Sequence, residues 1–266
     1  MEIPGKTFVV TGGANGIGRA VVQALLERGA KVAAVDLSEQ ALAAAAESAG
    51  TDRLSTHALD ITDASAVEAL PEQVLAIHGT VDGVVNVAGI IQRFVPIADL
   101  DVAEMAKVLE VNFWGTVRMT KAFLPHLMAR PHAAVVNVGS MGGLVPVPGQ
   151  SAYGASKAAV QLFTEGLYAE MQGTNVAVTM AYPGATNTDI AQHSDAAIPG
   201  RDAESSKAAA NMTSPAQAAR LIVDGIEKGS YRVLIGRDTK MLDALSRIAP
   251  KRATEMVASR MKDLVG

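Results

Sequence analysis

Cysteine is absent from the 266-residue sequence. Its absence excludes disulfides, thiolate-ligated metals and cysteine nucleophiles, and it is compatible with a reducing cytosol. The five histidines include no pair with the H-x-x-x-H spacing of a helical metal site. We therefore expect no metal ion in this protein.

An excess of basic residues is also absent, since the net charge is −4 and the 23 Lys and Arg residues are scattered. This balance argues against a nucleic-acid or anionic-membrane partner. The N-terminus carries an acid at position 2 and lacks the basic and apolar regions of a signal peptide. The long uncharged segment 131–156 is interrupted by prolines and glycines, so it cannot be a spanning helix. We expect a cytoplasmic protein with neither a membrane nor a nucleic-acid partner.

Short apolar runs recur along the chain, and most of them are typical of β-strands. Their Val and Ala content is nearly continuous rather than alternating, which indicates strands that are buried on both faces of a parallel sheet. The runs are 7–11, 31–36, 53–60, 81–89, 133–140, 175–184 and 231–236.

Segments with helical spacing lie between these runs. The first ends at Gly29, and the next two are predicted to open at Ser38 and Thr62. Alternating strands and helices predict an α/β fold, a single-domain Rossmann-like doubly wound parallel sheet of about seven strands with helices on both faces. We expect one domain over residues 1–266. Only 185–213 and the tail 237–266, which we expect to be helical, depart from the alternation.

The first strand ends in "TGGANGIGRA", which places Gly12, Gly16 and Gly18 in the turn to a helix that begins near Ile17. Such a turn lets the backbone approach a pyrophosphate closely and directs the helix N-terminus towards it. A glycine pattern alone could serve a tight turn, but the strand–turn–helix context favours dinucleotide binding. Asp36 ends the second strand, where a carboxylate can accept hydrogen bonds from an adenosine ribose.

Tyr153 and Lys157 are four positions apart in "SAYGASKAA", so they should lie on one face of a helix. An ammonium at ~4 Å would lower the pKa of the phenol by at most roughly three units before desolvation is subtracted. An isolated Y-x-x-x-K is more often an ordinary amphipathic helix. Ser140 follows a strand 13 residues before Tyr153, so a short loop could bring its hydroxyl to the phenol. One substrate oxygen could then contact both groups and exchange a proton with Tyr153.

Seven motifs in this order resemble those of the short-chain dehydrogenase/reductase family, and the resemblance covers residues 6–236. They are "TGGANGIG", "LDIT", "NVAG", "VNFWG", "VNVGSM", "SAYGASK" and "PGATNTDI". The third motif departs from the family at Val87, where a second Asn is usual.

The resemblance implies a catalytic tetrad of Asn112, Ser140, Tyr153 and Lys157. In it, Lys157 also holds the nicotinamide ribose, Ser140 steadies the substrate oxygen, and Asn112 supports a water that relays protons. The implied cofactor-binding residues are Gly12, Asn15, Gly16, Ile17, Gly18, Asp36, Leu37, Asp60, Ile61, Asn86, Ala88, Gly89, Tyr153, Lys157, Pro183, Gly184, Thr186 and Thr188.

Three functions are consistent with these residues. The favoured one is an NAD-dependent oxidoreductase of secondary alcohols or the matching ketones. An NADPH-dependent β-ketoacyl-type reductase would be favoured by a basic residue where the chain has Asn15 or Leu37. A non-catalytic nucleotide sensor or scaffold would be favoured by loss of Tyr153 or Lys157, and both are present.

Two further expectations concern the surroundings of the site. Residues 185–213 follow the nicotinamide-facing turn and mix Gly and Pro with apolar residues, so we expect them to form a lid over an apolar substrate. The family resemblance implies a homotetramer, or else a homodimer, with the helices of Asn112 and Tyr153 at an interface.

Overall fold

The structure is a computed structural model that describes residues 1–186, 190, 194 and 212–262. Seven parallel strands form one sheet with the order β3-β2-β1-β4-β5-β6-β7. This confirms the predicted Rossmann-like doubly wound sheet. The strands are β1 (Thr7–Thr11), β2 (Lys31–Asp36), β3 (Leu54–Ala58), β4 (Gly83–Asn86), β5 (Ala133–Val138), β6 (Val176–Pro183) and β7 (Arg232–Ile235).

Helices connect successive strands, and a π-helical turn, Glu110–Gly115, interrupts the connection from β4 to β5. The α-helices are α1 (Gly16–Glu27), α2 (Glu39–Ala49), α3 (Ala64–His78), α4 (Val102–Leu109), α5 (Thr116–Met128), α6 (Ser151–Glu170), α7 (Pro215–Lys228), α8 (Arg237–Ile248) and α9 (Pro250–Arg260). Within the described residues, no helix is long and apolar enough to cross a lipid bilayer.

Two hydrophobic clusters cover the two faces of the sheet. Phe8 and Val10 pack with α1 and α7 on one face, whereas Val9 packs with α3 and α5 on the other. Because successive side chains of a strand point to opposite faces, burial of both faces requires a continuous apolar run. This explains the continuous apolar runs of the central strands β1, β4 and β5, whereas the edge strand β3 is partly exposed and more polar.

The helix starts agree with the sequence at α2 but not at α3. Ser38 Oγ accepts a hydrogen bond from Ala41 N, as its position before α2 predicts. At α3 the cap is Asp63 and not Thr62, since Asp63 Oδ1 accepts hydrogen bonds from Ser65 N and Ala66 N. Thr62 instead donates its hydroxyl to Asp60.

Strand order reverses between β1 and β4, so the crevice beyond their carboxyl ends is the expected ligand site of this topology. The glycine turn after β1, the "NVAG" turn after β4 and the loop containing Ser140 after β5 all emerge at this edge. The fold therefore brings together three motifs that are far apart in the sequence.

The segment 185–213 begins and ends at one place on this edge. Thr186 pairs in parallel with Thr213, and Thr213 N donates to Ala185 O over 3.0 Å. Most of the predicted lid lies outside the described residues. In the C-terminal tail, α8 and α9 pack Leu242 and Val257 against Val145 of the loop that follows Ser140.

Candidate active site at the carboxyl edge of the sheet

The glycine turn has no room for side chains at two of its positions. A Cβ on Gly12, where φ is +65°, would lie 3.1 Å from the backbone of Ala88. A Cβ on Gly18 would lie 2.0 Å from the carbonyl oxygen of Gly12. The turn therefore holds β1, β4 and the start of α1 in close contact, and the amides of the first helical turn have no intrahelical acceptors. Such a cradle of backbone amides fits a pyrophosphate.

The Asp36 carboxylate faces this turn from the end of β2. Its Oδ2 accepts from Ala14 N over 3.0 Å, and its Oδ1 accepts from Ser38 N over 3.3 Å. Beside it, Leu37 is 72% exposed. A negative charge and an apolar side chain thus border the groove where an adenosine would lie, and no basic side chain follows Asp36 directly in the sequence.

Several of the predicted cofactor residues direct their side chains elsewhere. Asn86 Nδ2 donates to Asn137 Oδ1 over 2.8 Å and to Thr120 Oγ1 over 3.1 Å, inside the protein. Ile61 is buried in the cluster of α3 and α5, and Asp60 Oδ1 accepts from the amide and hydroxyl of Thr62. The buried side chains of Asn86 and Ile61 support the groove from inside the protein, whereas the Asp60 carboxylate is exposed.

Two more of the predicted residues lie at the start of α1. Asn15 occupies the N-cap position but makes no side-chain cap, and Ile17 is partly buried against the cluster of α1 and α7.

The "NVAG" turn lies between the glycine turn and α6, the helix that carries Tyr153 and Lys157. Thr11 Oγ1 accepts from Val87 N and Ala88 N, over 3.0 and 3.2 Å. A Cβ on Gly89 would lie 3.0 Å from Asn112 Oδ1 and 3.2 Å from Lys157 Nζ. The backbone of Ala88 and Gly89 therefore lies between the glycine turn on one side and Asn112 and Lys157 on the other.

Ser140, Tyr153 and Lys157 converge as their spacing predicts. Ser140 caps a short 3-10 turn, in which Gly142 N donates to Ser140 Oγ over 3.0 Å. A hydrogen bond between the Ser140 and Tyr153 hydroxyls lowers the pKa of the phenol, but burial raises that pKa by more. Lys157 is 4% exposed, and its Nζ donates to Val138 O over 3.0 Å.

Burial is the largest influence on both Tyr153 and Lys157 in this structure. The Lys157 Nζ lies 6.0 Å from the centroid of the Tyr153 ring. Burial raises the pKa of Tyr153 and lowers the pKa of Lys157 to about 8. The net shift of the phenol is therefore opposite to the one that an ammonium alone would cause, because desolvation penalises the charged forms of both side chains.

Asn112 lies in the π-helical turn and is fully buried. Its Oδ1 accepts from Ile90 N, while its Nδ2 donates to Ile90 O and to Ser156 Oγ, all within 2.9 Å. Thr116 Oγ1 donates to the Asn112 carbonyl over 2.8 Å. The side chain thus connects the loop after β4 to α6.

The turn after β6 is held by Asp238 at the start of α8. Ala185 N donates to Asp238 Oδ2 over 3.2 Å, and a Cβ on Gly184 would lie 2.6 Å from the same carboxylate. Pro183 ends β6, and Thr186 Oγ1 donates to Gly184 O. Thr188 lies outside the described residues. No group of three or more His, Cys, Asp or Glu side chains in the described part of the chain is placed to hold a metal ion.

The sequence analysis missed four side chains that shape the site: Thr11, Gln92, Ser156 and Asp238. Thr11 ends a strand at the glycine turn, and Ser156 stands inside "SAYGASK", so both were visible beside predicted motifs. Gln92 follows "NVAG" by three residues, and no local pattern distinguishes it.

Replacement of Lys157 by methionine is expected to stabilise the cofactor-free protein at pH 7 while impairing its activity. A pKa lowered from 10.5 to about 8 corresponds to a cost of roughly 3 kcal/mol for the buried ammonium. Loss of the charge-assisted bond to Val138 O removes about 2 kcal/mol, so the free energy of unfolding should rise by about 1 kcal/mol. Urea unfolding of Lys157→Met and of the exposed control Lys240→Met measures this difference.

The stability difference between Lys157→Met and the unmodified protein should become smaller as the pH rises. Because its folded pKa is below its unfolded pKa, the unfolded chain binds more protons between about pH 8 and 10.5. The contribution of Lys157 to stability therefore rises with pH across that window, and the advantage of Lys157→Met shrinks. An advantage that stays constant from pH 7 to pH 10.5 would contradict a buried ammonium.

Known proteins with similar sequences indicate the family to which this chain belongs. A family model described as short chain dehydrogenase matches residues 6–198. SadH of Mycobacterium tuberculosis is 39% identical over 270 residues, which cover 96% of this chain and 95% of that protein. Dehydrogenase/reductase SDR family member 7B of Mus musculus is 32% identical over 261 residues, covering 96% of this chain and 80% of that protein.

Solved structures show the same fold. A short-chain dehydrogenase/reductase from Burkholderia phymatum in complex with NAD has a TM-score of 0.84 at 23% identity, over 96% of this chain and 97% of that one. A short chain dehydrogenase from Burkholderia cenocepacia in complex with NADP has a TM-score of 0.79 at 26% identity, over 98% and 99% of the two chains. The family match and the two relatives therefore establish that this chain belongs to the short-chain dehydrogenase/reductase family of oxidoreductases, which use nicotinamide cofactors.

Proposed function

We propose that this protein transfers a hydride between NAD(H) and a secondary alcohol or its ketone, with Tyr153 as the acid/base. One observation carries the proposal: the Tyr153 ring and the Ser140 hydroxyl lie together next to Gly142, beside the buried Lys157, at the sheet edge that also holds the glycine turn. A proton carrier and a cofactor cradle thus share one crevice.

The residues present fit a nicotinamide dinucleotide. The backbone amides at Gly16 and Gly18 would hold the pyrophosphate, Asp36 the adenosine ribose, and Lys157 the nicotinamide ribose. When bound, the nicotinamide supplies an acceptor for the hydride that leaves the carbinol carbon of the substrate.

Tyr153 and Ser140 would handle the substrate oxygen. In alcohol oxidation the ionised Tyr153 accepts the hydroxyl proton, and in ketone reduction the neutral phenol donates it. Ser140 Oγ, which already engages the phenol, would hold the same oxygen by a second hydrogen bond. Because burial raises the pKa of Tyr153, ionisation of the phenol needs a positive charge nearby to stabilise the phenolate.

Lys157 is placed to supply that charge, since its Nζ lies 6.0 Å from the centroid of the Tyr153 ring. It would pass a proton from Tyr153 towards solvent and carry it back in the reverse reaction. For Asn112, the contacts with Ile90 and Ser156 support a positioning role, because both polar atoms of its amide are already engaged. A relay water would then bind its backbone carbonyl and not its side chain.

The direct experiment is a screen of secondary alcohols with NAD⁺, followed by the absorbance of NADH. We expect at least one alcohol to be oxidised with saturation kinetics by the unmodified protein. A matched preparation of Tyr153→Phe controls for contaminating dehydrogenases. Failure of every alcohol with NAD⁺, together with rapid reduction of a β-ketoacyl substrate by NADPH, would favour the reductase alternative.

The segment 185–213 is proposed to form a lid over the substrate. Its ends meet at Thr186 and Thr213, and Ile91 N donates to Ser194 Oγ over 3.1 Å next to the site. A loop that returns to its own start beside the nicotinamide-facing turn, and that also contacts the loop after β4, is suited to close over an apolar substrate.

We also propose a homotetramer, or else a homodimer, assembled through the helices of Asn112 and Tyr153. Apolar side chains are exposed there: Trp114 in the π-helical turn is 48% exposed, and Leu162 on α6 is 71% exposed. Phe113 packs between Trp114 and Phe163, so these side chains form one apolar surface. Light scattering should give at least twice the monomer mass, and a monomer would refute the assembly.

A further inference from the structure

Gln92 is 1% exposed and lies between β4 and α4, yet its side chain is bound entirely to the start of α6. Its Oε1 accepts from Ala152 N over 2.7 Å and from Tyr153 N over 3.0 Å. Its Nε2 donates to Gly149 O over 2.9 Å. Every polar group of this amide therefore serves the end of the helix that carries Tyr153.

The helix depends on this contact because it has no side-chain cap of its own. Gln150, at the N-cap position of α6, makes no capping hydrogen bond. The orphan amides of a helix start need acceptors, and here Gln92 supplies one from a segment about 60 positions away in the sequence. Gln150 Nε2 returns a hydrogen bond to Gln92 O over 2.8 Å, so the two glutamines bind each other's segments.

Tyr153 is held on both sides of its backbone. Gln92 binds its amide, and Ser156 Oγ donates to its carbonyl over 2.7 Å. Ser156 also accepts from Asn112, whose amide binds Ile90 through both of its polar atoms. The loop after β4 therefore contacts the Tyr153 turn twice, through Gln92 and through Asn112.

The same loop touches the cofactor cradle at its other end. A Cβ atom on Gly12 would lie only 3.1 Å from the backbone of Ala88, so the two residues are in close contact. Residues 88–92 thus run from the glycine turn to the first turn of α6. This segment and its bonds therefore link the cofactor cradle to the helical turn that carries Tyr153.

We propose that Gln92 is a positioning residue that fixes Tyr153 relative to the cofactor by capping α6 from the loop after β4. This inference rests on the proposed function of Tyr153 as the acid/base. Proton transfer requires donor and acceptor within hydrogen-bond reach, and a displacement of about 1 Å can lower the rate by about a hundredfold.

The test compares Gln92→Met with Thr164→Val, using the alcohol oxidised fastest in the screen. Methionine keeps the length of the side chain and removes its polar atoms. Thr164 is a buried control on the same helix, and its hydroxyl likewise donates to one carbonyl, Val160 O, and accepts from Asn137. We expect Gln92→Met to lower kcat by about tenfold to a hundredfold with KM and NAD⁺ affinity within about twofold of the unmodified protein. Thr164→Val should retain its kcat.

Gln92→Glu supplies a readout that a merely structural role would not change. A buried neutral glutamate keeps an acceptor oxygen for the two amides, and its hydroxyl can donate to Gly149 O as Gln92 Nε2 does. Ionisation at higher pH would set a carboxylate oxygen against the Gly149 carbonyl, so kcat should match that of the unmodified protein near neutral pH and fall below it as the pH rises. Gln92→Met has no titrating group and should be impaired at every pH.

The outcomes separate this inference from the function on which it rests. If Tyr153→Phe is inactive while Gln92→Met and Gln92→Glu both retain kcat and the unmodified pH profile, Gln92 is not a positioning residue and the acid/base assignment stands. If Tyr153→Phe is fully active, the acid/base assignment itself is wrong. Should Gln92→Met fail to fold, the pH profile of Gln92→Glu decides, and a profile identical to that of the unmodified protein overturns the inference.

Discussion

Replacement of Tyr153 by phenylalanine is expected to lower kcat for alcohol oxidation by at least about a thousandfold, near the upper range for loss of a general acid/base. The ring remains to fill its partly buried position, so only the proton carrier and its hydrogen bond with Ser140 are lost. Affinity for NAD⁺ should change little, because Lys157 and the glycine turn are intact. Initial rates and a titration of NAD⁺ binding measure the two effects separately.

The matched control is Tyr231→Phe, which also removes one phenolic hydroxyl. Tyr231 is 39% exposed and packs its ring 4.4 Å from that of Tyr168, remote from the carboxyl edge of the sheet because it precedes β7. Its rate should equal that of the unmodified protein. Residual activity of Tyr153→Phe above about a tenth would remove Tyr153 from the acid/base role.

Asp36 is expected to make kcat/KM at least about a hundredfold higher with NAD⁺ than with NADP⁺. Its carboxylate already faces the glycine turn through Ala14 N, and in that position it would accept hydrogen bonds from ribose hydroxyls. The 2′-phosphate of NADP⁺ would meet it as a like charge, and such contacts cost several kcal/mol at a binding site. A hundredfold preference needs about 3 kcal/mol, so the repulsion is sufficient.

Variants at this position should change the preference in a defined order. Asp36→Ala should reduce the preference for NAD⁺, because NAD⁺ binds more weakly and the 2′-phosphate of NADP⁺ is no longer repelled. The double variant Asp36→Ala with Leu37→Arg should prefer NADP⁺. Glu39→Ala, which removes an exposed carboxylate three residues further on, is the control and should leave the preference unchanged. If the unmodified protein uses both cofactors equally, Asp36 does not bind the ribose, and the NADPH-dependent reductase becomes the better interpretation.

The fold was predictable from the sequence because most strands are short, apolar on both faces and bounded by turn residues, the edge strand β3 being an exception. The seven predicted runs contain the seven strands, and the helix beginning at Gly16 starts within one residue of its expected position. Helix starts were harder to predict where two neighbouring residues can both act as the N-cap. Thr62 and Asp63 can both cap α3, and Asp63 does so because its carboxylate reaches two amides.

The site was only partly predictable, because its contacts cross between segments that are distant in the sequence. Spacing alone placed Tyr153 and Lys157 on one helix but could not show that Lys157 Nζ binds Val138 O on β5. It also could not weigh desolvation, which governs the pKa of both groups here. Gln92 remained hidden for the same reason, since its partners at Ala152 and Tyr153 are set by tertiary packing.

Transfer of deuterium from the substrate tests the central claim most directly. A secondary alcohol deuterated at its carbinol carbon would be incubated with NAD⁺ and the unmodified protein, with Tyr153→Phe as the control, and the reduced nicotinamide analysed by mass spectrometry. Hydride transfer predicts that each NADH formed carries one deuterium and that Tyr153→Phe forms almost none. NADH without deuterium, or deuterium released to water, would contradict the proposed reaction.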